Sequence, residues 1–277
     1  RKSNTSHSSV PTRRTKMKIA IVGMGLIGGS LYKAALKEGY DVIGIDKNDP
    51  VTVADADVIF VALHPTVAIK WIIRYKDEIN EDAVVVDTCG IKGAICKKLE
   101  NELADSKWTF IGGHPMAGKE VSGFENSDAN LFKGASMILT PSSRTDTRKL
   151  EMLKKLIKRL GFNKIVISDA LEHDTMIAYT SQLCHIISSA YLRDERFAKH
   201  SGYSAGSFRD LTRVGAPDPD LWSELFLENS DALLPVIDGF IRRMEDFRQA
   251  IADKNRESLI SQLAEGVDAQ LGERSVE

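Results

Sequence analysis

Seven short apolar runs occupy the first two thirds of the chain, and their alternation with helical segments most constrains the fold. The segments TVAIKWIIRYKDEI and RTDTRKLEMLKKLIKRLG separate some of the runs and carry apolar residues at helical spacing. Short continuous apolar runs are typical of strands buried on both faces. Their alternation with helices predicts an α/β fold with a doubly wound, mostly parallel sheet. The runs are KIAIVG, DVIGID, ADVIFVAL, AVVVDT, WTFIGG, GASMILT and KIVIS.

The strand pattern stops after Ser168, and helical patterns continue to the end of the chain. DALEHDTMIAYTSQLCHIISSAYLRD predicts one long, largely apolar helix. A later segment repeats apolar residues at alternating gaps of four and three, a heptad-like seam that suits close helix packing, although an ordinary core stripe gives the same pattern. The length of 277 residues favours two domains, and we expect an α/β domain at 17–168 and an all-helical domain at 169–277, whose long apolar helices also suit dimerisation. The seam residues are Leu233, Ile237, Phe240, Met244, Phe247 and Ile251.

The first sixteen residues, RKSNTSHSSVPTRRTK, are polar and basic and lack the apolar core of a signal peptide. We expect residues 1–16 to be disordered. They fit an expression remnant, the end of an upstream segment, or a natural tail.

Composition excludes several classes of partner. The net charge of -2 gives no electrostatic reason to expect nucleic acid or a membrane surface. No apolar run approaches the ~20 residues that a membrane span needs. The cysteines show neither metal-site spacing nor a disulfide framework, so we expect a reducing, cytoplasmic location and no metal. They are Cys89, Cys96 and Cys184.

The first apolar run leads into GMGLIG, which has the spacing G-x-G-x-x-G between a predicted strand and a predicted helix. In this context Gly23 permits a tight turn, Gly25 lets a pyrophosphate approach the backbone, and Gly28 lets helix and strand pack closely. The N–H groups at the helix start then face the phosphates. The motif predicts a Rossmann-type dinucleotide-binding domain, and a glycine turn without a ligand is the less favoured alternative.

Asp46 ends the second predicted strand, where a carboxylate can accept hydrogen bonds from a ribose 2′-hydroxyl and repel a 2′-phosphate. The sequence therefore predicts NAD rather than NADP. Only about ten residues separate this strand from the next, fewer than a parallel crossover usually takes, so we expect the first half of the domain to be truncated after Asp46. The predicted cofactor-binding residues are Gly23, Gly25, Leu26, Ile27, Gly28, Asp46, Leu63, Thr88 and Cys89.

A histidine directly before a proline follows the fifth predicted strand, in GGHPMAGKE. A residue before proline favours extended backbone, so we expect His114 to be displayed at the carboxyl end of the sheet, where such sheets bind ligands. Beside NAD it can accept a proton while hydride leaves the same carbon. A histidine that caps a turn is an equally good interpretation of the residues alone.

Several motifs in order resemble the prephenate dehydrogenase family of tyrosine biosynthesis. The resemblance runs from about Lys18 to Gly266. Its motifs are IGGHPMAGKEVSGFENSDANLFKGASMILTP, EHD, QLCHIIS, GSFRDLTRVGAPDPDLW and LFLENSDALLPVIDGF.

The resemblance implies NAD-dependent oxidative decarboxylation of prephenate to 4-hydroxyphenylpyruvate. His114 is then the base that contacts the substrate 4-hydroxyl, and Arg213 binds a carboxylate through two hydrogen bonds. Asp210 is a candidate to orient Arg213, although a weak surface ion pair is the alternative. Lys119 is a candidate for the second carboxylate, and a solvated surface lysine is equally consistent with composition.

The long helix places Gln182 and His185 on one face, which lines the substrate pocket in the family and often carries histidine at the position of Gln182. His173 in EHD is expected to have a structural role, and His64 a packing role. The chain departs from the family at Gly90, where many members have a serine that orients substrate and nicotinamide. Thr88, Cys89 or backbone N–H groups are candidates to replace that hydroxyl.

Other functions stay open at this point. Arogenate dehydrogenase performs the same chemistry on the amino-acid form of the substrate, and no residue decides between the two. A β-hydroxyacid dehydrogenase is a more distant alternative, disfavoured because the long helix lacks the lysine that class generally uses. An NAD-binding regulatory module without turnover is disfavoured by His114 and Arg213. We also expect a homodimer through the C-terminal helices, and tyrosine is a candidate inhibitor acting at the active site.

Overall fold

The computed structural model describes residues 16–119 and 121–274. The expected disorder of residues 1–16 therefore lies, except for Lys16, outside the described residues. The chain forms two compact units. The first contains the chain up to Asp174 together with Ala216–Glu228, and the second contains Thr175–Gly215 together with the chain from Asn229 onward. The first unit thus extends six residues past the predicted boundary at 168, and a later segment also belongs to it.

The first unit is built on a seven-stranded sheet of order β2-β1-β3-β4-β5-β6-β7. Strands β1 to β5 are parallel, β6 pairs antiparallel with β5, and β7 is parallel to β6. The predicted α/β class with a mostly parallel sheet is confirmed. The strands are β1 Lys18–Val22, β2 Asp41–Ile45, β3 Val58–Val61, β4 Val84–Asp87, β5 Thr109–Pro115, β6 Ser136–Thr140 and β7 Lys164–Ile167.

Helices connect and follow these strands. Pro65 occupies the first turn of α2, where its missing N–H has no helical partner to lose. The helices are α1 Leu26–Lys37, α2 Pro65–Tyr75, α3 Gly93–Glu102, α4 Thr147–Arg159, α5 Ala170–Ile177, α6 Leu183–Leu192, α7 Gly206–Thr212, α8 Pro219–Glu228, α9 Ser230–Ala252 and α10 Arg256–Arg274.

Side chains of the central strands alternate between two buried clusters, one on each face of the sheet. Ile19 and Ile21 of β1 belong to one cluster, with residues of α1 and α4. Ala20 and Val22 of the same strand belong to the other, with residues of α2 and α3. Because successive strand residues point to opposite faces, a run that is apolar at every position requires cover on both sides. This explains why the strands were readable from the sequence.

The chain passes from β2 to β3 through residues 46–57 without a helix. β3 then pairs with β1 on the side opposite β2. The truncation of the first half of the domain after Asp46 stays a prediction.

The predicted single helix after Ser168 is wrong in one respect. A π-helical turn, Ala178–Gln182, separates α5 from α6. Such turns hold one extra residue, shift the helical phase, and occur often at functional sites. Periodicity alone did not reveal it, because the apolar pattern continues through the turn.

The second unit contains the predicted seam on α9, but the seam is only partly buried. Leu233 is buried, whereas the side chains of Met244 and Ile251 are 53% and 63% exposed. On α10 a further row of apolar residues is about half exposed, at helical spacing. These residues are Ile260, Leu263, Val267 and Leu271. Across the described part of the chain, every helix is either too short or too polar to cross a membrane.

Candidate active site

The glycine motif forms the turn between β1 and α1. Gly23 has a φ of 89°, which disfavours other residues, and a Cβ there would collide with the carbonyl oxygen of Ala62. A Cβ at Gly28 would collide with the carbonyl oxygen of Gly23. Beside Gly25, by contrast, the space is open. The three glycines therefore fit the roles that their spacing predicted.

Gly25 is the N-cap residue of α1, and the first N–H to bond back to it is that of Gly29. The N–H groups of Leu26, Ile27 and Gly28 precede this first helical bond, as at any helix start. A helix N-terminus with open space in front of it suits a phosphate. The residues present therefore fit a dinucleotide.

Asp46 directly follows β2 and is exposed. One carboxylate oxygen accepts a hydrogen bond of 2.9 Å from the N–H of Lys47. The N–H of Asp46 in turn donates to Asp49. This small turn fixes the carboxylate at the end of the strand next to β1, the position from which the sequence predicted ribose binding.

Leu63 and Cys89 come from neighbouring strand ends. The side chain of Leu63 packs against Gly23, and its carbonyl lies 3.5 Å from the Sγ of Cys89. Cys89 is buried and donates its N–H to Asp87. Burial and the Asp87 carboxylate raise the pKa of the Cys89 thiol well above its ordinary value. Because the amide and thiol of Cys89 are bonded inside the protein, half-buried Thr88 is the better candidate to replace the family serine.

His114 lies within β5 rather than after it. His114 pairs with Ile138 of the antiparallel strand β6, and the pairing with β6 extends β5 to Pro115. The extended backbone agrees with the effect of the following proline. The histidine is half-buried, so it is held by the sheet and is not a turn cap.

The ring of His114 contacts a second histidine. Its Nδ1 is 2.9 Å from Nε2 of His173, and Nδ1 of His173 is 2.7 Å from Oδ1 of Asp174. The carboxylate of Asp174 also accepts bonds of 2.7 Å from the N–H groups of Lys92 and Gly93, at the start of α3. The structural role expected for His173 therefore includes direct contact with the predicted base.

A buried ion pair lies beside this chain of contacts. Lys92 Nζ bonds to Asp87, and neither side chain has exposed surface. Asp87 also accepts the N–H of Gly113 at 3.2 Å, which ties the end of β4 to β5 next to His114. Burial alone lowers the pKa of Lys92, but the Asp87 carboxylate more than offsets this and raises it above its ordinary value. Lys92 is therefore a fixed positive charge.

Burial, His173 and Lys92 together hold the pKa of His114 well below its ordinary value. Burial disfavours the imidazolium, and the fixed positive charge of Lys92 adds to that effect. His114 is thus neutral at neutral pH, which is the form that accepts a proton.

Gly90 lies beside the other ring nitrogen. A Cβ at Gly90 would be 3.9 Å from Nε2 of His114 and 3.6 Å from the side chain of Leu225 on α8. The neighbouring Glu224 accepts a 2.7 Å bond from the N–H of Thr66 at the start of α2. Residues of α8, which belongs to the first unit, therefore contact the loops that follow β3 and β4.

Two other predicted residues of the first unit are exposed. Lys119 donates a 2.9 Å hydrogen bond to the carbonyl of Asn126. His64 is the N-cap residue of α2 and is also exposed, so the packing role expected for it is wrong.

In the second unit, α7 carries Asp210, and Arg213 follows at its C-cap. Both residues are exposed. Nδ1 of His185 is 2.9 Å from the carbonyl of Val214, and Ser189 donates to the carbonyl of Gly215 at 3.1 Å. Two residues one turn apart on α6 thus anchor the backbone that follows Arg213.

Gln182, predicted to bind substrate, is buried in the π-helical turn. Its Oε1 accepts a 2.7 Å hydrogen bond from Nδ2 of buried Asn229. This bond connects the turn to the residue that precedes α9. Gln182 therefore has an internal role in the second unit, whatever else it contacts.

Sequence reasoning missed Asp87, Lys92 and Asp174. Asp87 had a signal, because a charged residue that ends the run AVVVD is unusual for a buried strand. Lys92 had a similar one, because it stands in the apolar segment IKGAI. Neither signal shows that the two side chains pair, since that depends on the turn between β4 and α3.

The glycine turn, the open helix N-terminus and the strand-end aspartate place the first unit among the dinucleotide-binding domains of oxidoreductases. Two family models match the chain. "Prephenate dehydrogenase, nucleotide-binding domain" matches residues 17–166, and "Prephenate dehydrogenase, dimerization domain" matches residues 169–265. The chain belongs to the prephenate dehydrogenase family.

Individual relatives agree with this assignment. A cyclohexadienyl dehydrogenase of Zymomonas mobilis is 32% identical over 282 residues, which cover 91% of this chain and 94% of the relative. The crystal structure of prephenate dehydrogenase from A. aeolicus with hydroxyphenyl propionate and NAD+ has a TM-score of 0.80 and 26% identity, covering 98% of this chain and all of that one. An arogenate dehydrogenase of Synechocystis has a TM-score of 0.78 and 25% identity, covering 92% and 99%.

Proposed function

We propose that this protein catalyses the NAD-dependent oxidative decarboxylation of prephenate to 4-hydroxyphenylpyruvate. The observation that carries the proposal is His114, a neutral imidazole at the carboxyl end of the sheet whose Nε2 lies beside Gly90. The family assignment supplies the reaction type. The more distant alternative, a β-hydroxyacid dehydrogenase, has no support from the family models.

The cofactor proposed is NAD. When bound, it accepts the hydride from the ring carbon that carries the 4-hydroxyl. Asp46 favours NAD over NADP because its carboxylate matches a ribose diol and repels a phosphate. The neighbour from A. aeolicus, which was solved with NAD+, supports the same choice.

The chain's own contribution to the reaction is a proton acceptor. Nε2 of His114 takes the proton of the 4-hydroxyl as that oxygen becomes a carbonyl. The bond between the ring and its carboxylate then breaks, and carbon dioxide leaves. The electron pair of that bond passes through the ring to the carbonyl oxygen. The imidazolium of His114 returns the proton, so a phenol is formed. Because aromatisation drives the reaction, orientation and one proton acceptor are the main requirements.

Prephenate carries two carboxylates, and Arg213 is the proposed anchor for one of them. A guanidinium binds a carboxylate with two parallel hydrogen bonds. His185 supports this role by holding the carbonyl of Val214, the residue after Arg213. Asp210, Gln182 and Lys119 remain proposed substrate-binding residues on the strength of the family resemblance.

Arogenate is the second candidate substrate, since a solved neighbour is an arogenate dehydrogenase and one relative is a cyclohexadienyl dehydrogenase. The deciding experiment is a steady-state assay with prephenate and with arogenate, each with NAD and with NADP. We expect the highest kcat/KM for prephenate with NAD. A higher value for arogenate would reassign the substrate, and turnover of neither would overturn the proposal.

We further propose a homodimer through α9 and α10, in a reducing compartment such as the cytosol. The family's second domain is described as a dimerization domain, and the half-exposed apolar rows on these helices suit a partner surface. Cys89, Cys96 and Cys184 are free thiols, as such a compartment allows. We expect tyrosine, if it inhibits, to compete with substrate, and initial rates with both present would show this.

The base assigned to His114 gives a direct prediction. His114→Asn should lower kcat by ~10²–10⁴, the usual contribution of a positioned base, with the Kd of NAD nearly unchanged. Because the pKa of His114 is lowered, kcat/KM in the wild type should fall only when pH drops below the ordinary histidine value of about 6.5. His200→Asn, which removes a half-buried histidine of the second unit, is the matched control. Near-normal turnover in His114→Asn would remove His114 from the reaction.

A further inference from the structure

The contacts from His114 to Asp174 form a line of hydrogen bonds whose direction can be assigned. Asp174 accepts the N–H groups of Lys92 and Gly93 at the start of α3. A carboxylate only accepts hydrogen bonds, and each oxygen of Asp174 already accepts one amide N–H at this helix N-terminus. Nδ1 of His173, 2.7 Å away, must therefore carry a proton and donate it to Asp174.

A neutral imidazole has one donor and one acceptor nitrogen. With its proton on Nδ1, His173 presents Nε2 as an acceptor. That nitrogen is 2.9 Å from Nδ1 of His114, so Nδ1 of His114 is the donor of this bond. The proton of neutral His114 is thus fixed on Nδ1, and Nε2 is left as the acceptor, on the side of Gly90.

We propose that His173 and Asp174 are positioning residues that hold His114 in the tautomer able to accept the substrate proton. The inference rests on the proposed role of His114 as base. When Nε2 takes the proton, Nδ1–H of the imidazolium keeps donating to His173, and the Asp174 carboxylate stabilises the added charge through that ring. The substrate proton remains on His114 during this step, and His173 transfers none.

The residues around His114 explain why His173 and Asp174 are needed. Lys92, beside Asp87 at the end of β4, is a buried positive charge that opposes the imidazolium of His114. Gly90 has no side chain with which to orient the ring from the other side. The Asp174 carboxylate, which His173 connects to His114, meets both needs. It restricts the tautomer of His114, and it supplies the negative charge that offsets Lys92. An aspartate that orients a catalytic histidine in a serine protease works on the same principle.

Two substitutions at His173 separate its two contacts. In His173→Asn the amide nitrogen occupies the place of Nδ1 and keeps the bond to Asp174, but nothing reaches His114. In His173→Gln the longer side chain places a carbonyl oxygen where Nε2 was, so it can still accept from His114. We expect kcat to fall at least about tenfold in His173→Asn and to recover partly in His173→Gln, with KM and the Kd of NAD little changed.

A double substitution tests whether His173 acts through His114. In the His114→Asn background, adding His173→Asn should cause no further loss of kcat, because residues that act as a unit are not additive. A further loss similar to that in the wild-type background would indicate a general structural effect and overturn the proposal. Thermal unfolding of each variant identifies any that fold poorly.

The tautomer itself can be observed. In protein labelled with ¹⁵N-histidine and saturated with NAD, the ring-nitrogen shifts of His114, identified by their loss in His114→Asn, should show a proton on Nδ1 and a bare Nε2. Asp174→Asn can present an amide donor to His173 and should reverse the assignment, with a fall in kcat of roughly 10²–10⁴. A proton on Nε2 in the resting wild type would overturn the proposal. If no variant matters because the wild type turns over neither prephenate nor arogenate, the proposed function has failed instead.

Discussion

At the residue scale, Gly90 has no side chain that could orient the ring of His114. Its hypothetical Cβ meets His114 and Leu225 at ordinary contact distances of 3.6 to 3.9 Å, so a serine would fit there. Glycine is therefore not enforced by crowding at this position. The orientation of His114 instead comes from the opposite side of the ring, through His173.

Asp46 is the residue on which cofactor choice should depend. Asp46→Ser removes the charge that repels a 2′-phosphate, so the ratio of kcat/KM for NAD to that for NADP should decrease. Asp41→Ser, at the opposite end of the same strand, is the matched control and should leave the ratio unchanged. Equal use of NAD and NADP by the wild type would contradict the role of Asp46.

Arg213 should determine substrate affinity. Loss of a charge-assisted, bidentate contact costs roughly 1.5–3 kcal/mol, so Arg213→Ala should raise KM for prephenate at least about tenfold. Arg213→Lys should recover only part of this, because an ammonium cannot form the two-pronged contact. Arg209→Ala on the same helix serves as the control. If KM changes in Arg209→Ala and not in Arg213→Ala, the anchor is the other arginine.

Individual residues differed in how far their place could be predicted. Gly23 and Gly28 were predictable because a local turn and a helix contact determine both. His114 was predictable as an extended strand-end residue because proline restricts the residue before it. The bond from His173 to His114 was not, because it joins residues 59 apart in sequence, from β5 and α5. No local pattern encodes such a contact.

At the element scale, the N-cap of α4 shows how a side chain fixes the point at which a helix begins. Asp146 is the N-cap residue of α4, and its carboxylate accepts the N–H groups of Arg148 at 2.7 Å and Lys149 at 3.4 Å. Such a cap satisfies N–H groups that have no partner within the helix. The strands and α4 could be predicted from the sequence because each shows a local pattern of apolar residues. The π-helical turn could not be predicted, because the apolar pattern continues through it.

The cap gives a prediction with a pH dependence. The amide of Arg148, and then its side chain, hold the pKa of the Asp146 carboxyl below its ordinary value. A lowered carboxyl pKa means that the ionised cap stabilises the fold above the unfolded pKa of about 4 and loses this effect as pH falls further. Asp146→Ala should thus lower Tm by a few degrees at pH 7, and the difference from wild type should shrink below about pH 4. Asp105→Ala, an exposed aspartate after α3, is the control. A difference that stays constant with pH would contradict the cap.

At the scale of the whole molecule, the apolar rows on α9 and α10 bear on assembly. Four side chains on α10 that are each about half exposed, at 48% to 60%, suit burial against a second copy of the chain. The sequence predicted the seam on α9 but not the row on α10, and it could not show how much of the seam the single chain covers, because coverage depends on tertiary packing.

Light scattering at micromolar concentration should therefore report twice the chain mass of 30.6 kDa. Leu263→Glu should increase the monomer fraction, because it places a charge in the apolar row. Glu265→Gln on the same helix is the control. A wild-type monomer would contradict the dimer, and an unchanged dimer in Leu263→Glu would move the interface away from α10.

The return of Ala216–Glu228 to the first unit also has a consequence for how this protein could have diversified. The polypeptide crosses from one unit to the other three times, after Asp174, Gly215 and Glu228. A genetic exchange with one breakpoint near residue 168 would therefore pair a nucleotide-binding half with a foreign α8, whose Glu224 and Leu225 must still fit Thr66 and Gly90. The two units are consequently expected to be inherited together. An active chimaera should need α8 from the same parent as its nucleotide-binding unit.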